Sequence, residues 1–170
     1  MTELSPAVRA ALSRVRLLSC DVDGVLTDGG LYYTEAGDVM RKYNVKDGMG
    51  LELLRQAGFE LCIISASQTP AIAARGSKLK ISHTYTGVDD KLATLKAVCA
   101  ELGLSLDQVA HIADDVNDLP VLRAVGCPLT VADAMDAVKA VALYKTEKNG
   151  GEGAVREVCD LLLSLAPTGE

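Results

Sequence analysis

Two observations predict a doubly wound, Rossmann-like α/β fold built on a parallel sheet. Short apolar runs (Val15 to Cys20, Phe59 to Ile64, Val109 to Ala113) alternate with longer segments of helical period, the pattern of βαβ units covered on both faces. Polar residues follow those runs directly: Asp21-Val22-Asp23-Gly24, Ser65, and Asp114-Asp115. In open α/β sheets ligands bind outside the carboxyl ends of the strands, so these groups are expected to share one rim.

Taken in chain order, the first run ends at Cys20 and delivers Asp21 and Asp23. Gly30 to Thr34 and Val39 to Tyr43, joined across Glu35-Ala36-Gly37-Asp38, read as a β-hairpin inserted into the alternation. A lone hairpin is marginal in water. This one carries three tyrosines and a methionine, so it is expected to pack on a sister subunit. Helical period covers Asp47 to Ala57, Pro70 to Lys80, Asp90 to Leu102, Asp118 to Val125, Ala134 to Val141 and Glu152 to Leu165. Gly58, Gly103 and Gly126 stand where C-caps are expected, and Ser105 with Gln108 suggests a capping box. A short run from His83 to Thr86 leads through a loop to Lys91.

With 170 residues and 49% hydrophobic content, residues 1–170 are expected to form one domain with a substantial core. The formal charge of −6, without a Lys/Arg cluster, argues against nucleic acid or an anionic membrane as partner. No apolar run reaches membrane-spanning length and residues 1–16 lack a leader's apolar core, so the expected compartment is the cytoplasm. Five cysteines, odd in number and without a CxxC pair, read as reduced core residues. His83 and His111 lack zinc-site spacing, and His111, inside an apolar run, reads as structural.

The carboxylates decide the chemistry. Two of them about 4 Å apart repel by about 4 kcal/mol at an effective dielectric of about 20, so Asp21, Asp23 and Asp114 need a cation between them to stay ionised together. Oxygen ligands in a small site suit Mg²⁺ better than Ca²⁺. With Lys91 as a positive charge and Ser65 as a hydroxyl donor, the rim suits a phosphoryl group. An EF-hand is excluded, because Val25 and Leu26 fall where that loop needs Asp/Asn and Gly. A lone Asp-x-Asp is usually a turn or a solvated strand end. Here acidic or polar residues recur in order at four strand ends.

The order Asp-x-Asp, Ser, Lys, Asp-Asp-x-x-Asp resembles the haloacid dehalogenase-type phosphohydrolases along the whole chain. Within them it is most similar to the capless sugar-acid phosphatases of the 3-deoxy-D-manno-octulosonate 8-phosphate phosphatase family. The resemblance rests on Cys20 to Gly29, Leu31 to Glu35, Asn44 to Gly48, Gly87 to Leu92, Ala113 to Pro120 and Gly150 to Glu157. It implies that Asp21 attacks phosphorus to form an aspartyl-phosphate, that Asp23 is the general acid and base, and that Lys91 neutralises charge. Mg²⁺ is implied at Asp21, the carbonyl of Asp23, and Asp114. Asp115 and Asp118 are implied to orient Lys91 or metal-bound water. Gly24 is expected to turn its amide to a phosphate oxygen, and Ser65 to donate to one. Asn44, Lys46, Asp47, Gly48, Arg75 and Asn117 match substrate-contacting or flanking positions.

Two departures bear on the substrate. Ser67 stands where the octulosonate enzymes usually carry an arginine, and Glu52 where some relatives do. Lys78, and Arg75 from a neighbouring subunit, are candidates to replace the lost contact. Phosphatases of nine-carbon sialic-type 9-phosphates also lack that arginine and are the alternative. A receiver-type signalling domain uses similar groups, but places its acidic pair first and its lysine last. A catalytically silent binding subunit predicts a damaged constellation, whereas every chemical position here is filled. Gly150-Gly151-Glu152-Gly153 is either a flexible helix entry or a segment that closes over the site. Fewer than fifty residues separate Asp23 from Ser65, too few for a cap domain, so a homotetramer assembled through the hairpin is expected to cover the site.

Overall fold

The computed structural model of the chain describes residues 4–166; residues 1–3 and 167–170 of the expected domain lie outside the described residues. Its centre is a six-stranded parallel sheet formed by β1 (Leu17–Cys20), β4 (Glu60–Ile64), β5 (His83–Tyr85), β6 (Val109–Ala113), β7 (Cys127–Thr130) and β8 (Tyr144–Lys145), in the order β5-β4-β1-β6-β7-β8. The chain runs outward from β1 to β4 and β5, then crosses back to β6 and continues the other way. The order therefore reverses beside β1, which places the ligand crevice at the ends of β1 and β6.

Side-chain alternation divides the core in two. Leu18, Ile63 and Ala110 pack on one face with α1 (Pro6–Arg14), α2 (Val45–Gln56), α3 (Pro70–Lys78) and α7 (Ala154–Leu165). Leu17, Cys62, Ile64 and Val109 pack on the other with α4 (Lys91–Leu102) and the turn after α5 (Leu119–Leu122). With both faces covered, the strands are almost wholly apolar, as a parallel sheet requires. All five cysteines are buried and unpaired.

The hairpin is present but shorter than its sequence pattern: β2 (Tyr32–Tyr33) pairs antiparallel with β3 (Val39–Met40), and a bridge joins Thr27 to Tyr43. Only the hairpin, α2 and β4 lie between Asp23 and Ser65, and no cap domain is present there. The expected helix from Asp118 to Val125 resolves into a 3₁₀ turn (Val116–Asp118) and the four-residue α5. The helix expected from Ala134 shrinks to α6 (Asp136–Lys139). Gly103 caps α4 in the left-handed conformation. Gly126 is not a cap: its amide donates to the Leu106 carbonyl, and a Cβ there would lie 2.3 Å from the Asp107 carbonyl oxygen. Helix α1 was not expected, although Ser5 accepts from the Val8 amide and Pro6 opens the first turn.

The Gly150-Gly151 segment is a fixed strut. The Gly151 amide donates to the Val25 carbonyl at 2.9 Å and its carbonyl accepts from Asn44 Nδ2 at 3.0 Å. Gly150 donates to Asp133 Oδ1. Gly151 holds φ +68°, and a Cβ there would stand 2.4 Å from the Asp28 amide nitrogen. Gly37, in the hairpin turn, holds φ +89° with nothing within 4 Å of its Cβ position. Gly37→Ala is expected to cost only the left-handed penalty of about 1–2 kcal/mol. Gly151→Ala adds a backbone clash and should lower the denaturation midpoint clearly further. Equal shifts in parallel chemical denaturations would show that close packing on the loop after β1 does not fix this segment.

Candidate active site

Asp21 leaves β1 as the first residue beyond the strand, its amide held by the Ile112 carbonyl of β6 at 3.1 Å. The backbone then turns sharply, with the amides of Val25, Leu26 and Thr27 all donating to the Val22 carbonyl. Gly24 adopts φ +83°, and a Cβ there would fall on the Asp114 carboxylate. The glycine thus lets the ends of β1 and β6 approach. Its amide is spent locally, on Thr27 Oγ1 at 3.2 Å, rather than turned to the open rim.

Lys91, the first residue of α4, reaches beneath the rim and donates from Nζ to Asp21 Oδ1 at 2.8 Å and to Asp118 Oδ2 at 2.7 Å. All three residues are buried. The other Asp118 oxygen meets His111 Nε2 at 2.9 Å, and His111 Nδ1 meets Ser19 Oγ at 3.0 Å. A linear array Asp21–Lys91–Asp118–His111–Ser19 therefore runs from the rim into the sheet. Burial works against the Lys91 charge, but the two carboxylates raise its pKa overall. For Asp118, burial is outweighed by hydrogen bonds and charge from His111 and Lys91, which hold its carboxyl below the usual range. Asp21 is pushed upward by burial and by the Asp118 charge, against the pull of Lys91.

Asp114 follows β6 and is pushed up to about 7 by burial and by the charges of Asp21 and Asp115. Among the described residues no three His, Cys, Asp or Glu side chains gather into a complete metal shell. That fits a site whose third protein ligand is a backbone carbonyl. Asp21, the Asp23 carbonyl and Asp114 could hold a hard divalent ion, the remaining positions being filled by substrate oxygens and water.

A cavity of about 450 Å³ opens over these groups, lined by Asp21, Asp23, Ser65, Ser67, Asp114 and Asn117 among others. The Ser65 side chain accepts from the Ser67 amide at 3.1 Å. Asp115 is exposed at the cavity edge and accepts from the Val116 amide; the structure gives it no contact with Lys91, whose orienting partner is Asp118.

Asp23 has two partners that the sequence did not disclose. Arg41, just beyond β3, donates from Nε and Nη2 to its two oxygens at 2.6 and 3.1 Å, and from Nη1 to Thr69 Oγ1 at 3.0 Å. Ser67 Oγ donates to Asp23 Oδ2 at 2.8 Å. Burial of Asp23 is more than offset by these bonds and by the Arg41 charge, so its pKa is lowered. The only sequence signal for Arg41 was an arginine amid the apolar and aromatic residues of the hairpin.

The Asn44 to Gly48 segment is engaged inside the chain. Asn44 caps α2 through the Lys46 amide at 2.8 Å and holds Gly151. Asp47 is buried at the N-terminus of α7, where Oδ1 accepts from the Arg156 amide at 2.8 Å; an anion is favoured at that helix end. Gly48 leaves room for the Arg75 guanidinium, which donates to the Asn44 carbonyl at 3.2 Å and lies over the Tyr43 ring. Lys46 and Lys78 are exposed outside the cavity. Glu52 pairs with Arg55 and Gln56 along α2.

A family model for haloacid dehalogenase-like hydrolases matches residues 78–158. The chain is 41% identical to 3-deoxy-D-manno-octulosonate 8-phosphate phosphatase from Yersinia pestis over 151 residues, 89% of this chain and 81% of that protein. A crystal structure of the Yersinia pestis phosphatase superposes with a TM-score of 0.93 at 39% identity, covering 95% of this chain and 88% of that one. The phosphatase from Moraxella catarrhalis, solved with magnesium ion, phosphate ion and a KDO molecule, superposes with a TM-score of 0.91 at 38% identity over 94% of this chain and 91% of that one. With the array at the end of β1, these similarities settle the family: the chain belongs to the capless 3-deoxy-D-manno-octulosonate 8-phosphate phosphatases of the haloacid dehalogenase-like hydrolases.

Proposed function

We propose that the chain is a Mg²⁺-dependent phosphomonoesterase that converts 3-deoxy-D-manno-octulosonate 8-phosphate to the free sugar acid and phosphate. The observation that carries this reading is the Asp21 carboxylate held by buried Lys91 at a rim shared with Asp114. Lys91 occupies Oδ1, which leaves Oδ2 of Asp21 for attack on phosphorus. The ester P–O bond breaks as Asp23, which takes up a proton from solvent when its pairing with Arg41 opens, gives that proton to the departing sugar oxygen. Asp23 then takes a proton from the water that attacks the aspartyl-phosphate, and phosphate departs with Asp21 restored. Lys91 and the Ser65 hydroxyl offset charge on the phosphoryl oxygens, so catalysis is mainly positioning and electrostatics. Bound Mg²⁺ supplies the remaining neutralisation of charge among the carboxylates and on the phosphoryl group. Asn117 faces the same cavity and is assigned to the substrate.

A nine-carbon 9-phosphate is the competing substrate, because Ser67 leaves the position without the arginine of the eight-carbon enzymes. The reading places the enzyme in the cytoplasm, in keeping with five unpaired thiols. It also makes the enzyme a homotetramer. The hairpin exposes Tyr32, Tyr33 and Met40 at 55%, 67% and 56%, beside exposed Val45 and Met49, an apolar surface of the kind that marks an interface.

Chelation should abolish phosphate release from the octulosonate ester, and Mg²⁺ should restore it. Ca²⁺ should inhibit, since its looser shell misplaces the attacking carboxylate. Full turnover by the metal-free protein contradicts the mechanism, and faster hydrolysis of the nine-carbon ester in the same assay moves the substrate. Sedimentation should find a tetramer, and Tyr33→Glu should dissociate it with loss of turnover. A fully active wild-type monomer at assay concentration rules out the quaternary role of the hairpin.

A further inference from the structure

Arg41 is the unusual cation of this site. Its side chain is 2% exposed, yet it belongs to the exposed hairpin, and its fork closes on both oxygens of Asp23. While that fork is closed, Asp23 is occupied on both oxygens by Arg41 and on Oδ2 by Ser67 as well. It cannot at the same time address a leaving-group oxygen. When Asp23, which lines the cavity, turns to the sugar oxygen, the buried guanidinium behind it loses its counter-charge, which is costly unless another anion takes its place.

Other cations are poorly placed to bind that anion. Lys91 lies on the phosphoryl side, with two of its three N–H donors on Asp21 and Asp118. Arg75 is turned to the Asn44 carbonyl and the Tyr43 ring, and Lys78 is exposed outside the cavity. Arg41 also lies against Ser67 and Thr69: Ser67 shares Asp23 Oδ2 with it and Thr69 accepts from Nη1. The short Ser67 side chain leaves this wall without a cation of its own, and Arg41 brings one from the opposite direction. A planar guanidinium fork matches a carboxylate.

From this geometry, and resting on the functional reading above, we infer that Arg41 reads the carboxylate of the sugar acid, and that its transfer from Asp23 to the substrate frees Asp23 for the leaving oxygen. The resting pair makes the site selective: a phosphate ester without a carboxylate offers Arg41 no second partner, so the fork stays on Asp23 and the general acid is withheld. Selectivity then comes from a contact that the wrong substrate cannot replace.

The test compares wild type, Arg41→Met and Arg41→Lys on two esters, the octulosonate 8-phosphate and a neutral hexitol 6-phosphate, with kcat and KM resolved for each. Wild type should prefer the acid. Arg41→Met should lower the acid-to-neutral ratio of kcat/KM by about tenfold or more, chiefly through KM for the acid. Arg41→Lys, which keeps the charge and loses the fork, should fall between them and covers the case in which the methionine variant does not fold. A general loss of structure would lower both esters together and leave the ratio in place. If wild type prefers the acid and both variants keep that preference, Arg41 does not read the carboxylate. If wild type is indifferent to the carboxylate, the sugar-acid reading itself falls, and this inference with it.

Discussion

The site depends on one cross-strand pairing. In the parallel register of β1 and β6, Ser19 lies opposite His111, and their side chains meet at 3.0 Å. From that pair the array continues through Asp118 and Lys91 to Asp21, with every member buried. Side chains alternate faces along a strand, so a slip of one residue would carry His111 to the opposite face and strand Asp118 and Lys91 without partners. Removing one member of a buried charge pair typically costs about 3–5 kcal/mol. Sheet register and nucleophile orientation are therefore one constraint. Two carboxylates around one ammonium leave the inner array negative, and Asp114 adds a further acidic group at the rim, which is why a divalent cation suits the outer face of Asp21.

The opposite wall is built differently. The phosphoryl side is rigid, made from strand ends and the first turn of α4, whereas the leaving-group side is closed by a residue borrowed from a two-stranded hairpin. Tyr32, Tyr33 and Met40 are exposed, while Arg41 turns inward to Asp23. One backbone segment thus joins an exposed apolar surface to the partner of Asp23.

Much of this was legible in the sequence, and the exceptions share a cause. The buried strands and the placement of Asp21, Ser65 and Asp114 around one cavity follow from apolar runs that end in polar residues, a local signal. The β8 strand has only two residues, too few for periodicity, and Pro128 interrupts the apolar pattern of β7. Pro128 stands at the start of the ladder to β8, where only its carbonyl is used, accepting from the Leu143 amide at 2.8 Å. The helix expected at Asp118 is one turn long and begins after Asp118, whose side chain is committed to Lys91 and His111. Asp47 was expected to face substrate and instead holds the amide of Arg156, 109 positions away; Arg41 meets Asp23 across a hairpin. Contacts of this kind depend on tertiary placement and leave no periodic trace.

The most direct test of the central claim, that the array presents Asp21 as the nucleophile, is chemical trapping during turnover. Enzyme mixed with Mg²⁺ and the octulosonate ester, quenched with acid and reduced with borohydride, should carry homoserine at position 21 when its peptides are sequenced by mass spectrometry. Homoserine at position 23, or phosphate release in a rapid first turnover with no modified residue, would contradict the account.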